Sequence, residues 1–230
     1  MVTQAITSNG AAAASDPVRE ARGRLKRLGM LSSPVGDEGV DGTRGRTLEA
    51  AIRMFVTRGF DGYTMRDLAA EVGVSAPALY NHFDCKEDIL RDAVEFMLAR
   101  FFTGVHGPIP DDHPNHRFEP VVRRYVRFQV EQADLASAND TLLRTGAPRR
   151  FLGPIHWEKL KAAMRAHIDL LRALIRAEGQ SLIDDRLAAH FVIVVCDRVS
   201  ALYHSERPTT TGDIADQTWL LVARMTGACQ

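Results

Sequence analysis

Apolar residues recur at three- and four-residue spacing along most of the chain from Arg44 onward, the period of a helix buried on one side. The pattern predicts a helix from Arg44 to Arg58, with Leu48, Ile52, Phe55 and Val56 on one face and Gly59 ending it. Two short helices follow. Thr64 caps the first, with Asp67 facing the same helix start, and Leu68, Ala69 and Val72 give it an apolar face. Gly73 stands where a left-handed C-terminal cap is wanted. Ser75 caps the second, and Pro77 occupies its first turn, where a missing N–H costs nothing. This helix is too short to be a core element alone, and it turns Tyr80, Asn81 and His82 outward. A short helix held at a fixed angle by its predecessor is the geometry that enters a DNA major groove.

Asp84 and Glu87 then offer a capping box for a long helix reaching about Gly104. Its apolar residues, among them Leu90, Val94, Met97, Phe101 and Phe102, cover much of its circumference, so it is expected between two bodies. His106 to Arg117 reads as a solvated loop, and His106, His113 and His116 match no helical two-histidine spacing, so no metal site is expected. Further helices are predicted over Phe118–Ala138, Asn139–Thr145, Pro154–Glu178, Asp184–Tyr203 and Asp213–Met225. The run FVIVVC has the β-branched content of a strand but lies inside a helical pattern without turn residues.

The expected fold is all-α, with about nine helices. Residues 1–43 form a flexible extension, 44–90 a three-helix helix-turn-helix domain, and 91–230 a helical ligand-binding and dimerisation domain. Val18, Ala21, Leu25 and Leu28 allow a brief helix within the extension, and Arg22, Arg24, Lys26 and Arg27 an alternative reading as a basic arm along DNA.

Formal charge is zero, so the whole chain does not attract DNA by its sum. Within 44–90, Arg44, Arg46, Arg53, Arg58, Arg66 and Lys86 face Glu49, Asp61, Asp67, Glu71, Asp84, Glu87 and Asp88. DNA affinity must come from where the cations sit. Cys85, Cys196 and Cys229 form no C-x-x-C pair and read as reduced thiols. No leader pattern opens the chain, and no apolar run is long enough to cross a bilayer, so the expectation is a cytoplasmic protein with no membrane partner.

The block GVSAPALYNHFDCKEDIL, after GF…YTMRDLA, resembles the DNA-binding domain of the TetR family of transcription regulators over roughly 47 residues. Past Leu90 the similarity is architectural. The resemblance implies that Thr64, Tyr80, His82 and Lys86 grip the DNA backbone. Arg44 and Arg46, at the start of the first helix, are further phosphate candidates. For base reading, Ala76, Pro77 and Ala78 supply only apolar contacts, where many relatives carry a longer polar side chain. Arg66 to guanine and Asn81 to adenine are the polar candidates.

One such helix covers only a few base pairs, so a homodimer on a palindromic double-stranded operator is expected. Phe191, Val195, Val199, Leu202, Trp219, Leu221 and Met225 are the candidate interface, and in the family the matching helices pair as a four-helix bundle. Phe101, Phe102, Phe128, Trp157 and Met164 are candidate walls of an apolar pocket, with Arg149 and Arg150 clamping an anionic group. The effector is expected to be small and largely apolar, acyl-CoA- or lipid-like, and to release the repressor by shifting the Ile89–Gly104 helix. No cofactor is called for. Without an H-E-x-x-H, a phosphate-cradling glycine loop or a G-x-S-x-G elbow, no enzyme is expected. The alternative is a helical enzyme or interaction adaptor carrying a helix-turn-helix head.

Overall fold

The computed structural model describes residues 16–31, 42–107, 117–145, 152–178, 183–202 and 210–228. Among them it is all-helical: α1 (Pro17–Arg27), α2 (Thr43–Arg58), α3 (Met65–Val72), α4 (Ala76–Tyr80), α5 (Lys86–Val105), α6 (Phe118–Glu131), α7 (Ala133–Thr145), α8 (Gly153–Glu178), α9 (Asp185–Leu202) and α10 (Thr211–Thr226). Among the described residues no helix is long and apolar enough to cross a membrane.

Local chemistry sets the ends of the small head. Thr64 Oγ1 accepts from the Asp67 amide while the Asp67 carboxylate accepts from the Thr64 amide at 2.8 Å, a reciprocal capping box. Gly73 closes α3 at φ 77°, a left-handed cap that a Cβ would strain. Ser75 Oγ caps α4 through the Ala78 amide. Gly62 turns the chain between α2 and α3 so tightly that a Cβ there would lie 2.0 Å from the Arg58 carbonyl oxygen.

α5 carries the head on one end and the larger domain around the rest. Phe96, Met97, Leu98, Phe101 and Phe102 are all buried, because α2 covers one side of it and α6 and α7 another. α6 in turn packs on α8, α9 and α10. Tyr125 and Gln129 of α6 both donate to Asp197 Oδ1 of α9, at 2.8 and 2.7 Å.

Four expectations change. The extension is not flexible over residues 16–31: Val18, Ala21 and Leu25 of α1 are buried and dock along α8, because their spacing makes one apolar stripe. The break after α6 falls at Gln132, not near Ala138; Gln132 caps α6 and its carbonyl accepts from Ala136 to start α7. Cys85, not Asp84, is the N-cap of α5, and no side chain caps that helix start. His106 is no solvated loop residue, being fully buried at the C-cap of α5.

Candidate nucleic-acid interface and effector core

The candidate reading face is α4 and the start of α3. Within the five residues of α4 only Leu79 is buried, and it anchors the helix to the head. At about 100° per residue, Pro77 and Asn81 lie nearly opposite Leu79, with Tyr80 and Ala78 on the flanks. Pro77, Tyr80, Asn81 and His82 are exposed, Tyr80 by 52%. Ala76 sits nearer the head and is half-buried. Arg46 and Arg66 are exposed as well.

Three of the expected phosphate donors are already engaged. Lys86 Nζ donates to the carbonyls of Phe60 and Tyr63, at 2.5 and 2.7 Å, and lies over both rings. It braces the loop between α2 and α3 with two of its three donor protons. Arg44 pairs with Asp92 of α5 and covers the Phe83 ring. Thr64 spends its hydroxyl proton on Asp67 Oδ2. The Thr64 hydroxyl and amide hold the Asp67 carboxyl below its usual range, and this exposed carboxylate sits at the helix start where a phosphate would approach. Arg46, Tyr80 and His82 are left as the exposed donors among the expected set.

In the larger domain the expected pocket residues Phe101, Phe102 and Phe128 meet each other instead of lining a void. Phe101 packs edge-on against Phe102, Tyr125, Phe128 and His167, with ring centroids 5.1–5.5 Å apart. Trp157 is half-buried beside a surface cleft of about 400 Å³ at the start of α8, and Met164 packs against the core. Arg149 and Arg150 lie outside the described residues.

Sequence reasoning missed the centre of this cluster. His106 Nε2 lies 2.7 Å from His167 Nδ1, both rings are fully buried, and their outer nitrogens have no hydrogen-bond partner. Burial, with the neighbouring His167, Arg124 and Arg22 for His106, keeps both rings neutral; His167 is pushed down to about 3. No sequence signal pairs two histidines so far apart.

The expected dimer face needs redrawing too. Val199 is buried within the chain's own core, and Trp219 packs edge-on against Phe118 at 5.6 Å. Val195 and Met225 are half-buried against the core, and the Leu202 side chain lies outside the described set. Of the expected set, Phe191 and Leu221 are exposed, and with Leu187 and Val194 on α9 and Leu220 on α10 they make an apolar stripe, each 45–56% exposed. The 187–191–194 spacing was readable as one helix face.

Residues 48–93 match the family model described as bacterial regulatory proteins, tetR family. A 66-residue stretch is 38% identical to the HTH-type transcriptional repressor KstR2 of Mycobacterium tuberculosis, covering 27% of this chain and 33% of that protein. The match thus spans about a third of that relative's length. A tetR-family regulatory protein from Rhodococcus RHA1 superposes with TM-score 0.66 at 23% identity, over 83% of this chain and all of the other. AibR in complex with isovaleryl coenzyme A and operator DNA superposes with TM-score 0.64 at 19% identity, over 81% of this chain and 99% of AibR.

Proposed function

We propose that this chain, which carries a tetR-family DNA-binding domain over residues 48–93, is a transcriptional repressor that binds a palindromic operator as a homodimer and is released by a small effector. The observation that carries the reading is α4: Leu79 ties it to the head and Pro77, Tyr80 and Asn81 stand outward on an otherwise apolar, neutral tip. That shape suits a major groove, with methyl contacts from Ala78 and Pro77 and a bidentate amide from Asn81. Arg66 adds a second polar reader from α3. Arg46, Tyr80 and His82 would hold phosphates, and Thr64 would do so by turning its hydroxyl from Asp67.

Two heads are needed for affinity, and the apolar stripe on α9 and α10 supports self-pairing. Burying a Leu, Val or Phe side chain contributes about 1.5–3 kcal/mol, so five such residues per chain exceed what a solvent-facing surface needs. The effector reading is supported by the aromatic cluster on α5 and α6, whose polar features include the histidine pair and the Tyr125 hydroxyl. AibR, with this fold, holds an acyl thioester of coenzyme A; an apolar acid or its thioester is the effector class proposed here, and it would enter by parting the packed rings of the cluster.

Selection of binding sites from random duplex DNA with the purified chain tests the proposal. The expected outcome is an inverted repeat with half-site centres roughly 34–36 Å apart. Recovery of single half-sites, or of no preferred sequence, would contradict it.

A further inference from the structure

The docked N-terminal helix makes a second concave surface that the operator reading does not use. Between α1 and Arg117 at the start of α6 lies a cleft of about 530 Å³. Arg19, Arg22, Lys26 and Arg117 line it against a single carboxylate, Asp16. Asp16 is already committed: it caps the Val18 amide at 3.0 Å and pairs with Arg117 at 2.6 Å. Glu178, close by, faces the backbone amides of Arg117 and Phe118.

The cations are held in place and crowd one another. Arg22 Nε donates to the His106 carbonyl at 3.2 Å, which fixes its guanidinium. Arg117 is mostly buried, and its Nε is buried with no hydrogen-bond partner. Arg124 stands behind the wall, and its own burial, then repulsion from Arg22, lowers its hold on its proton. The neighbouring cleft along α8 offers a contrast. There Arg24, Arg172 and Arg176 find Asp169 and Asp185 as ion-pair partners, so its charge is internally balanced.

We propose that the α1 cleft binds a phosphate-bearing small anion carrying at least two phosphate charges. Arginine forks suit phosphate oxygens, and a concave, partly desolvated wall strengthens each contact. DNA is the poorer occupant, because Arg22 sits beside the last turn of α5. That is about 30 Å along the helix from Lys86 at the head, at 1.5 Å per residue. The cleft also touches the floor of the histidine cluster through the His106 carbonyl, so occupancy can bias α5. Binding itself does not depend on the operator reading.

Isothermal titration of the full chain with inorganic pyrophosphate and, separately, with ADP tests this. Both should bind, more weakly as salt rises; equal affinities mean the cleft reads phosphate alone, and tighter ADP means that it reads the nucleoside too. Arg19→Gln with Lys26→Gln removes two exposed cations without touching the core, and should weaken both ligands at least tenfold. Gly23→Trp fills the cleft from α1, where a Cβ meets only Arg27 Nη1 at 3.5 Å, and should abolish binding with all charges kept. DNA affinity without ligand should stay unchanged in both variants. Absence of binding by wild type at millimolar ligand, binding that survives both variants, or an equal loss of DNA affinity would each overturn the proposal.

Discussion

Arg100 of α5 binds Glu49 of α2 with one guanidinium nitrogen and Gln132, at the α6–α7 break, with another at 2.9 Å. One side chain thus joins the DNA-facing head, the connecting helix and the larger domain. A cleft of about 290 Å³ lined by Glu49, Ile52, Arg53 and residues 130–135 lies beside it, so the two bodies are not packed tight there. Arg100→Met keeps the aliphatic stem and removes the bridge. Because the pair is only partly shielded, the stability cost should be modest, about 1 kcal/mol. The operator affinity should fall more, since the head loses its fixed angle. Urea unfolding and DNA titration on the same variant check this; a stability loss with unchanged affinity would show that the bridge is merely structural.

Lys86→Met should act on stability as well as on DNA. Its ammonium satisfies two loop carbonyls, and hydrogen bonds to a charged donor are worth about 1.5–3 kcal/mol each. Thermal unfolding should shift down by several degrees, while Arg46→Ala, exposed, should leave it unchanged. Arg46→Ala should instead weaken all DNA sequences alike and flatten the salt slope by about one. A Lys86 variant with wild-type stability and a lost salt contact would reverse this assignment.

Acidification should destabilise the larger domain. Unfolded histidines take up protons near pH 6.5, whereas folded His106 and His167 resist protonation until far lower, His167 until about pH 3. The unfolded state therefore binds more protons, and stability falls as pH drops below 6.5, by about 1.4 kcal/mol per pH unit for each ring. Asp197 opposes this. Burial raises its carboxyl to about 6, so its folded form gains protons between pH 6 and 3.8 and recovers part of the loss. Arg124 and Tyr125 stay in one protonation state across this window. His106→Leu with His167→Leu should flatten the descent between pH 6.5 and 4; an equally steep curve would exclude the pair as its cause.

Phe191→Glu, with Val194 and Leu187 untouched, should yield a folded monomer. Sedimentation velocity should show the wild type as a dimer and the variant at half its mass. Val199→Ala, by contrast, should lower stability by about 1–3 kcal/mol without dissociating it. Dissociation by Val199→Ala alone would restore the interface expected from sequence.

These contrasts mark what the sequence can carry. Caps, glycines and three-four spacing are local, so α2 to α5 and the outward face of α4 were legible within a residue or two. Long-range pairings were not: nothing local sends Lys86 to Phe60, Arg44 to Asp92 or His106 to His167. Val199 and Val194 illustrate the same limit on one helix, because both are apolar and only the packing of α6 and α8 decides which is covered. The break at Gln132 was invisible because no glycine or proline marks it.

On the proposed function, α4 reads DNA through an outward ridge of Pro77 and Asn81. The most direct measurement is a fluorescence anisotropy titration of wild type and Asn81→Ala against the selected inverted repeat and a scrambled duplex. Wild type should prefer the repeat by a large, salt-dependent margin. Asn81→Ala should lose about 1–3 kcal/mol of that preference while binding the scrambled duplex as before. Equal binding of both duplexes by wild type, or an Asn81→Ala variant with full preference, would contradict it.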